Sequence, residues 1–486
     1  MPYIIDLPKA RAWRPIYGNW IFQTVACSTS VRLTLLVLIA WQGLNGWCAI
    51  SSSPGGPDLY TCSYSNNVYD ADAALMRQRS PTRFRLMASR YVEIVQATRG
   101  HNCSGAALVA FNGHMYTQAG LSDDPGLYQL VGAISSIIGT SLPNAFDATA
   151  FVVILSGILI GYAGCWRLYA DRRARSVEAA VFVCLGLTQA WASDVYIFQS
   201  SPLIAGIPWI ILYASRRDRL KLCISGTIMM FCCAWCSLVR SNTNVICFAF
   251  LFAVFLGRFP IRKILVPLLL IALACVPSML FERKMIANRN AFLGSIGQTA
   301  TGINSHPIWH SIYIGLGFIP NSEVPRYSDT VAIDKVHSID PNAAYISSRY
   351  ESILRREVVN IAMRKPMLLI ANLAAKAVIV MLLGLAVLLP VIRVILGEKK
   401  DFWFDGAFAL AIVLSAMNGI LVVPRPRYLL TFLCLMSLYT SMKWCFHCRS
   451  SASERARARL WTPDCDPVSN AEGAHGEARN FAAGQQ

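Results

Sequence analysis

Acidic side chains occur in three segments that lie far apart along the chain but close to apolar runs. Asp70 and Asp72 follow the first apolar run, Asp124 and Tyr128 bound the motif DPGLY, and Asp194 lies in a short link between two apolar runs. Ionisable groups at a membrane border are energetically costly, which makes them candidates for function. A carboxylate that reaches an acceptor hydroxyl is a general base, and two Asp side chains also suit a divalent metal such as Mg²⁺ or Mn²⁺.

Arginines recur at the ends of apolar runs. Arg240 ends the run at 222–240, and the motif PRPRY before the last run contains Arg425, Arg427 and Tyr428. The planar guanidinium group is a multidentate donor for phosphate oxygens. Carboxylates and arginines together fit transfer from a lipid-linked phosphosugar. The alternative is structural, with the acids capping helices or lying in turns and the arginines anchoring span ends.

A second polar stretch contains the sequence HPIWHSIYIGLGF, with His306 and His310. Histidines at i and i+4 on a helix can share a metal, but this pair lacks the Glu of the H-E-x-x-H motif. We therefore predict that both histidines line a sugar or lipid cleft in the headgroup region or pack at the interface, and we place Asp72 and Asp194 ahead of them as metal candidates.

Composition sets the class of protein. Of 486 residues, 55% are hydrophobic and only 15% are charged, against about 25% charged in soluble domains, and the mean hydropathy is +0.44. These values exclude a cytosolic enzyme, a disordered chain and a secreted disulfide scaffold, and they indicate a multi-pass membrane protein. The net charge is +17, and in a membrane protein such positive charge gathers on cytoplasmic loops, which lie next to anionic lipid. Nucleic acid is not an expected partner, because no basic block outside the membrane is interleaved with aromatic residues.

Hydropathy predicts an all-α membrane protein with about ten transmembrane helices. Residues 1–31 form an N-terminus, 32–281 a transmembrane core that includes a loop at 51–149, 282–366 a second loop, 367–446 the last helices, and 447–486 a disordered tail. The apolar stretch 127–139 is too short to cross and is interpreted as interfacial, and 341–365 as an amphipathic helix. The predicted spans are 32–50, 150–169, 177–192, 196–214, 222–240, 243–257, 264–281, 367–392, 403–423 and 428–446.

Charge predicts the orientation. The links at 170–176, 215–221, 258–263 and 393–400 are all basic, and basic links lie in the cytoplasm. With ten spans, both termini are then cytoplasmic and both long loops are external. Cys62 and Cys103 fall in the first loop, where a disulfide is one possibility left open. The general character of the chain suggests a bacterial inner membrane.

The layout resembles the GT-C superfamily of integral membrane glycosyltransferases, which includes protein O-mannosyltransferases and the lipid A aminoarabinose transferase. The match rests on an acidic site after the first span (Asp72 or Asp70, with Asp58 competing), a Pro-led helix at Asp124, a second acidic site at Asp194, and the Arg-Tyr pair Arg427-Tyr428. The resemblance is good over residues 30–260, approximately, and holds only in outline in the later half of the chain. The chain lacks a clear Asp-Glu pair after span one, and Asp123-Asp124 replaces a Lys of the family.

This resemblance implies a GT-C-like fold and transfer of a sugar from a polyprenyl phosphate to a glycan, lipid or protein acceptor on the external face. It implies that Asp72 or Asp70 is the base, that Asp194 is its partner or a metal ligand, and that Arg240 and Arg427 bind the donor phosphate. Three alternatives stay open: an O-antigen polymerase or ligase that uses polyprenyl pyrophosphate glycans, a transporter or flippase, and a non-catalytic scaffold of glycan assembly.

Overall fold

The structure of the protein is a computed structural model. It describes the chain from the hairpin at residue 109 to the end of the last helix at residue 461, with gaps. The described residues are 109–112, 115–118, 124, 126, 127, 130, 134, 137, 142–192, 195–300, 307–389, 392 and 401–461.

The described chain is helical apart from one two-stranded hairpin. Strands β1 (Val109–Asn112) and β2 (Met115–Gln118) are antiparallel, and Asn112 pairs with Met115. The prediction of an all-α chain did not include this hairpin, whose strands are only four residues each. The helices are α1 (Leu142–Leu168), α2 (Arg172–Ala192), α3 (Ile197–Ser215), α4 (Arg219–Ser237), α5 (Thr243–Arg258), α6 (Leu265–Leu273), α7 (Val276–Ser295), α8 (Ile308–Gly315), α9 (Asp329–Ile339), α10 (Ser348–Arg364), α11 (Pro366–Leu388), α12 (Phe402–Leu421) and α13 (Leu430–Trp461).

Six helical stretches in the described residues are long and apolar enough to cross a membrane. They are α1, α3, α4, the joined α6 and α7, α11 and α12, and α5 is a shorter apolar helix. Each span predicted between residues 150 and 446 overlaps at least one helix of the structure, but α2 and α13 are not among these six stretches. The prediction of a helical multi-pass membrane protein is confirmed at this level. The predicted first span, 32–50, lies outside the described residues.

Helix α3 lies at the centre of the bundle, between α1, α4 and α13. Small residues allow α1 to approach it closely. A Cβ atom built on Gly161 of α1 would lie 2.5 Å from the carbonyl oxygen of Ile204 on α3, which no side chain tolerates. Small residues at helix interfaces in membranes increase van der Waals contact between the backbones. This packing fixes the start of α3, where Tyr196 lies.

The polar links lie at two opposite ends of the bundle. The arginines that follow α1 and α3 meet at one end, where Arg216 donates a hydrogen bond to the carbonyl of Arg167 and Arg258 lies over the ring of Trp403. Helix α3 runs from this end to Tyr196 at the other. The structure thus gathers the basic links at 170–176, 215–221 and 258–263 at one end, as the charge pattern predicted.

Helices α8, α9 and α10 form a separate apolar cluster around Tyr350, Leu354 and Val336. Both carboxylate oxygens of Glu351 on α10 accept the first N–H groups of α8, those of Trp309 (2.8 Å) and His310 (2.9 Å). A carboxylate at a helix N-terminus also interacts favourably with the helix dipole. These bonds fix α8 against α10.

Three predicted boundaries differ from the structure. Helix α7 continues past residue 281 to Ser295, and α13 continues past 447 to Trp461. The first extension begins with Glu, Arg, Lys and Met, and the second contains three Ala and four Arg; all of these residue types are good helix formers. Helix α10 begins at Ser348 rather than at 341, because the Ser347 hydroxyl accepts the N–H of Tyr350 and caps the helix there.

Candidate functional site

Arg240 and Tyr196 form the centre of the candidate site. Arg240 follows α4, and its guanidinium lies 4.3 Å from the centroid of the Tyr196 ring at the start of α3. Its Nη2 also donates a hydrogen bond to the Tyr196 hydroxyl. Arg240 is 7% exposed and Tyr196 is 1% exposed. A buried guanidinium stacked on an aromatic ring is held in one orientation, which is a requirement for binding an anion with defined geometry.

The ring of Tyr196 continues into a second aromatic contact. It meets the ring of Tyr428 edge to face, with centroids 5.4 Å apart. The Tyr428 hydroxyl lies 3.3 Å from the hydroxyl of Tyr327, a residue of the segment between α8 and α9. Three segments that are distant in sequence therefore meet through tyrosines at this end of the bundle.

Both arginines of the motif PRPRY lie over rings of these tyrosines. The guanidinium of Arg425 is 4.8 Å from the Tyr327 ring centroid, and that of Arg427 is 5.1 Å from the Tyr428 centroid. The backbone of this link is compact, since the N–H of Leu429 donates to the carbonyl of Arg425. We refer to these six residues as the arginine–tyrosine cluster: Tyr196, Arg240, Tyr327, Arg425, Arg427 and Tyr428.

The motif DPGLY attaches directly to the link that carries Arg240. Asp124 is 4% exposed, and its Oδ2 accepts the N–H of Ser241 at 2.7 Å. The N–H of Gly126 donates to the carbonyl of Leu238 at 2.9 Å, on the other side of Arg240. A Cβ atom on Gly126 would lie 2.4 Å from the Cβ of Leu238. The motif therefore needs both its acid and its glycine to hold Arg240 in place.

Gln199 joins the elements beneath the cluster. Its Oε1 accepts the hydroxyl of Thr431 on α13 at 2.8 Å, and its Nε2 donates to the carbonyl of Ser241 at 3.4 Å. Both side chains are fully buried. Satisfied polar side chains between membrane helices fix their relative positions, so this amide sets the distance between the Arg240 link and the Tyr428 link.

The cluster contains three guanidinium groups and three phenols. Burial raises the pKa of Tyr327 well above its usual value, so this phenol is a neutral hydrogen-bond donor at physiological pH. The Asp124 carboxylate lies beside the cluster and accepts the N–H of Ser241. Arg is the side chain best suited to bind phosphate oxygens in a fixed geometry, so a phosphate group is the ligand that suits three neighbouring guanidinium groups.

His310 packs within the α8–α10 cluster. It is 5% exposed, with Nδ1 2.9 Å from the Tyr350 hydroxyl and Nε2 3.2 Å from Asp329 Oδ1. Its ring also meets that of Tyr345 edge to face. Both ring nitrogens thus have partners within this cluster. Of the two roles predicted from the sequence, this environment favours packing over lining a cleft.

The structure brings together Asp124, Arg240, Arg425, Arg427 and Tyr428, and their role in substrate binding stays a prediction. The predicted site residues Asp70, Asp72, Tyr128, Asp194 and His306 lie outside the described residues, as do Cys62 and Cys103.

Tyr196 and Tyr327 belong to the cluster but were not predicted from the sequence. A repeated tripeptide is the missed signal: Pro-Arg-Tyr occurs at 325–327 and again at 426–428, and the tyrosines of the two copies meet.

Metal ligands form no group in the described part of the chain: no set of three His, Cys, Asp or Glu side chains is close enough to hold an ion. The carboxylate of Asp124 accepts the N–H of Ser241. The metal candidates Asp72 and Asp194 lie outside the described residues.

Comparison of the chain with protein-family models, with curated proteins and with solved structures gave no match.

Proposed function

We propose that the protein is a membrane glycosyltransferase that transfers a sugar from a polyprenyl phosphate to a glycan, lipid or protein acceptor, in the manner of the GT-C superfamily. The arginine–tyrosine cluster is the observation that carries this proposal. It joins Arg240, Arg425 and Arg427 from two links of the bundle at one membrane border, the depth at which the phosphate of a lipid-linked sugar lies. We propose further that this border is the periplasmic face of a bacterial inner membrane, with both termini in the cytoplasm.

In the proposed reaction, the arginines bind the phosphate of the donor. The acceptor hydroxyl attacks the anomeric carbon, the bond from that carbon to the phosphate oxygen breaks, and polyprenyl phosphate leaves with one additional negative charge. Arg240 and Arg427 stabilise this charge as it develops, which is the largest contribution in many transfer reactions. The proton of the acceptor passes to a carboxylate.

Asp72 or Asp70 and Asp194 are the proposed carboxylates for that proton. Asp194 is two residues before Tyr196 in the sequence, and Tyr196 contacts Arg240. The chain connectivity therefore limits the distance between the Cα atoms of Asp194 and Tyr196 to about 7 Å. A base next to the residue that contacts Arg240 suits attack on the carbon that the phosphate leaves.

The proposal is tested first by identifying the bound lipid. The protein is extracted gently from its own membrane and examined by native mass spectrometry. We expect a polyprenyl phosphate that carries one sugar. A polyprenyl pyrophosphate with an oligosaccharide would favour a polymerase or ligase, and bulk phospholipid alone would favour a transporter or a scaffold.

A transfer assay with the identified lipid then tests the cluster. Arg427→Lys keeps the charge but loses the planar donor fork, and we expect transfer to fall about 100-fold, as for loss of one transition-state donor. Arg262→Lys is the matched control, because Arg262 lies in the basic link at the opposite end of the bundle. Chelation with EDTA in the same assay shows whether a divalent metal takes part. Equal transfer by both variants contradicts the role of the cluster.

A further inference from the structure

Lys376 is a buried cation on an apolar helix. It lies on α11, is 1% exposed, and is followed by the run AVIVMLLGLAVLL. None of the ion pairs between described residues includes it, and its Nζ lies 5.9 Å from the centroid of the Phe318 ring. A buried charge without a counter-charge destabilises a protein strongly, and such residues within membranes are candidates for function.

Asn372 lies one turn before Lys376 on the same face of α11. Its Nδ2 donates to the carbonyl of Leu316 at 2.8 Å, but its Oδ1 is buried without a hydrogen-bond partner, and the residue is 1% exposed. Leaving a buried acceptor unsatisfied costs free energy. The same stripe therefore presents one unsatisfied acceptor and one unpaired cation.

Both side chains face the turn Gly315–Phe318, which leads from this stripe to the arginine–tyrosine cluster. A Cβ atom on Gly315 would lie 3.3 Å from Lys376 Nζ and 2.7 Å from the carbonyl oxygens of Leu421 and Val422. Those carbonyls end α12, and their partial negative charge attracts an ammonium group without supplying a full counter-charge.

The other glycine of the turn lies against the backbone of the segment that carries Tyr327. A Cβ atom on Gly317 would lie 2.4 Å from the carbonyl of Arg326, the residue next to Tyr327. Lys376 is thus separated from the cluster by a single turn of chain. Because Lys376 and Asn372 are covered, an anion reaches them only when this turn moves away from α12.

We propose that Lys376 and Asn372 form a second anion site beside the arginine–tyrosine cluster, which binds a lipid phosphate that carries a hydroxyl group. An anionic phosphate oxygen accepts from the Lys376 ammonium, and the hydroxyl donates to Asn372 Oδ1. A polyprenyl monophosphate, the product of the proposed transfer, has both groups once its phosphate has taken up the proton that the acceptor released. This inference rests on the proposed function and identifies where the leaving lipid is held.

The test measures binding to the full-length protein in nanodiscs, with polyprenyl monophosphate as the probe. We expect Lys376→Met to weaken binding at least tenfold through loss of a charge-assisted hydrogen bond, and Lys376→Arg to retain part of it. Neutral polyprenol, inorganic phosphate and phosphatidylglycerol are the comparison ligands. Equal binding of phosphatidylglycerol, or of inorganic phosphate alone, overturns the assignment to a polyprenyl phosphate.

Thermal stability separates this role from a structural one. Without ligand, Lys376→Met removes an unpaired buried charge, so we expect its melting temperature to equal or exceed that of the natural protein. Lys443→Met is the matched control, because Lys443 is also buried but is paired with Asp405 at 3.0 Å, and its loss leaves that acid unpaired and lowers the melting temperature. A lower melting temperature of Lys376→Met with unchanged probe binding overturns the inference.

The Arg427→Lys variant separates this inference from the proposed function. If Arg427→Lys loses probe binding and Lys376→Met does not, the lysine site is wrong and the proposed function stands. If the natural protein does not bind the probe, both are wrong. If both variants lose binding, both proposals are supported.

Discussion

The hydroxyl groups of Tyr327 and Tyr428 lie 3.3 Å apart, and this contact joins the α8–α10 region to the link between α12 and α13. The two tyrosines end the two Pro-Arg-Tyr copies of the chain. Each ring also lies beneath a guanidinium group, Arg425 over Tyr327 and Arg427 over Tyr428. The position of two arginines of the cluster thus depends on one contact between phenols.

We expect Tyr327→Phe and Tyr428→Phe to be non-additive. Each single variant removes the hydrogen bond between the phenols, so a double variant loses nothing more from this contact. A neutral hydrogen bond contributes about 1 kcal/mol, and the coupling energy should be of that size in a double-mutant cycle on thermal unfolding. The control pair is Tyr213→Phe with Tyr428→Phe, because Tyr213 lies near the opposite end of α3. Additive effects in the first pair would show that the contact does not couple the two segments.

Gly315→Ala should destabilise the protein, because its Cβ atom would overlap two carbonyl oxygens at the end of α12. Overpacking of this kind costs about 1–3 kcal/mol. Gly294→Ala is the matched control, since its Cβ atom meets no other atom within 4 Å and alanine favours a helix. Melting temperatures of the two variants in the same detergent give the comparison. An equal melting temperature for both would contradict the close approach of α8 to α12.

The apolar helices of the described residues were predictable from the sequence, because membrane spans are long apolar runs whose signal is local. The helix ends were less predictable. Whether α7 stops at 281 or continues to Ser295 depends on the helix propensity of polar residues, which hydropathy does not measure. The hairpin at Val109–Gln118 was missed for a similar reason, since its two strands are only four residues each and lie in a polar loop.

The site was predictable in part, for a physical reason that separates two kinds of residue. Arg240, Arg425 and Arg427 are charged residues at the ends of apolar runs, and the free energy needed to place a charge there makes them candidates for function. Tyr196 and Tyr327 give no such signal, since tyrosines are common at membrane borders. Only the contacts between distant segments show that these rings hold the arginines. For His310, the sequence could not show that Tyr350 and Asp329 occupy both ring nitrogens.

Glu351 should make the stability of the α8–α10 region fall as the pH rises. Burial raises the pKa of its carboxyl, and the hydrogen bonds from Trp309 and His310 only partly oppose this effect. The folded state therefore binds the proton more tightly than the unfolded state, and the contribution is lost as the pH rises through the pKa of the folded state. We expect the melting temperature of Glu351→Gln to change less between pH 4 and 8 than that of the natural protein.

Glu323 provides the control of opposite sign. Its pKa is lowered, first by the hydrogen bond from Lys365, whose Nζ lies 2.6 Å from Oε1. This stabilisation is present above the usual pKa of a Glu and is lost as the pH falls. Because the pair is exposed, the effect should be small. If Glu351→Gln and Glu323→Gln changed the pH profile in the same direction, the buried position of Glu351 would be contradicted.

A labelling experiment checks which face carries the site. In a background without the native cysteines, a single cysteine at Ser122 should react with an impermeant maleimide in whole cells, because it precedes the Asp124 motif on the proposed external face. A cysteine at Arg173, in the exposed basic link at the other end, should react only after permeabilisation. The reverse pattern would place the arginine–tyrosine cluster in the cytoplasm and remove the proposed donor from its reach.

Asp194→Asn should abolish sugar transfer without lowering the amount of protein in the membrane. Asparagine keeps the size of the side chain but is not a base, so no group at this position accepts the proton of the acceptor hydroxyl. Asp171→Asn is the matched control, because Asp171 is an exposed acid whose Oδ1 accepts the N–H of Arg173 at the opposite end of the bundle. Transfer from the polyprenyl-phosphate donor is measured for both variants at equal abundance. Because binding of the donor phosphate depends on the arginines, the Asp194→Asn variant should still bind the donor. Normal transfer by this variant would show that Asp194 takes no part in the reaction.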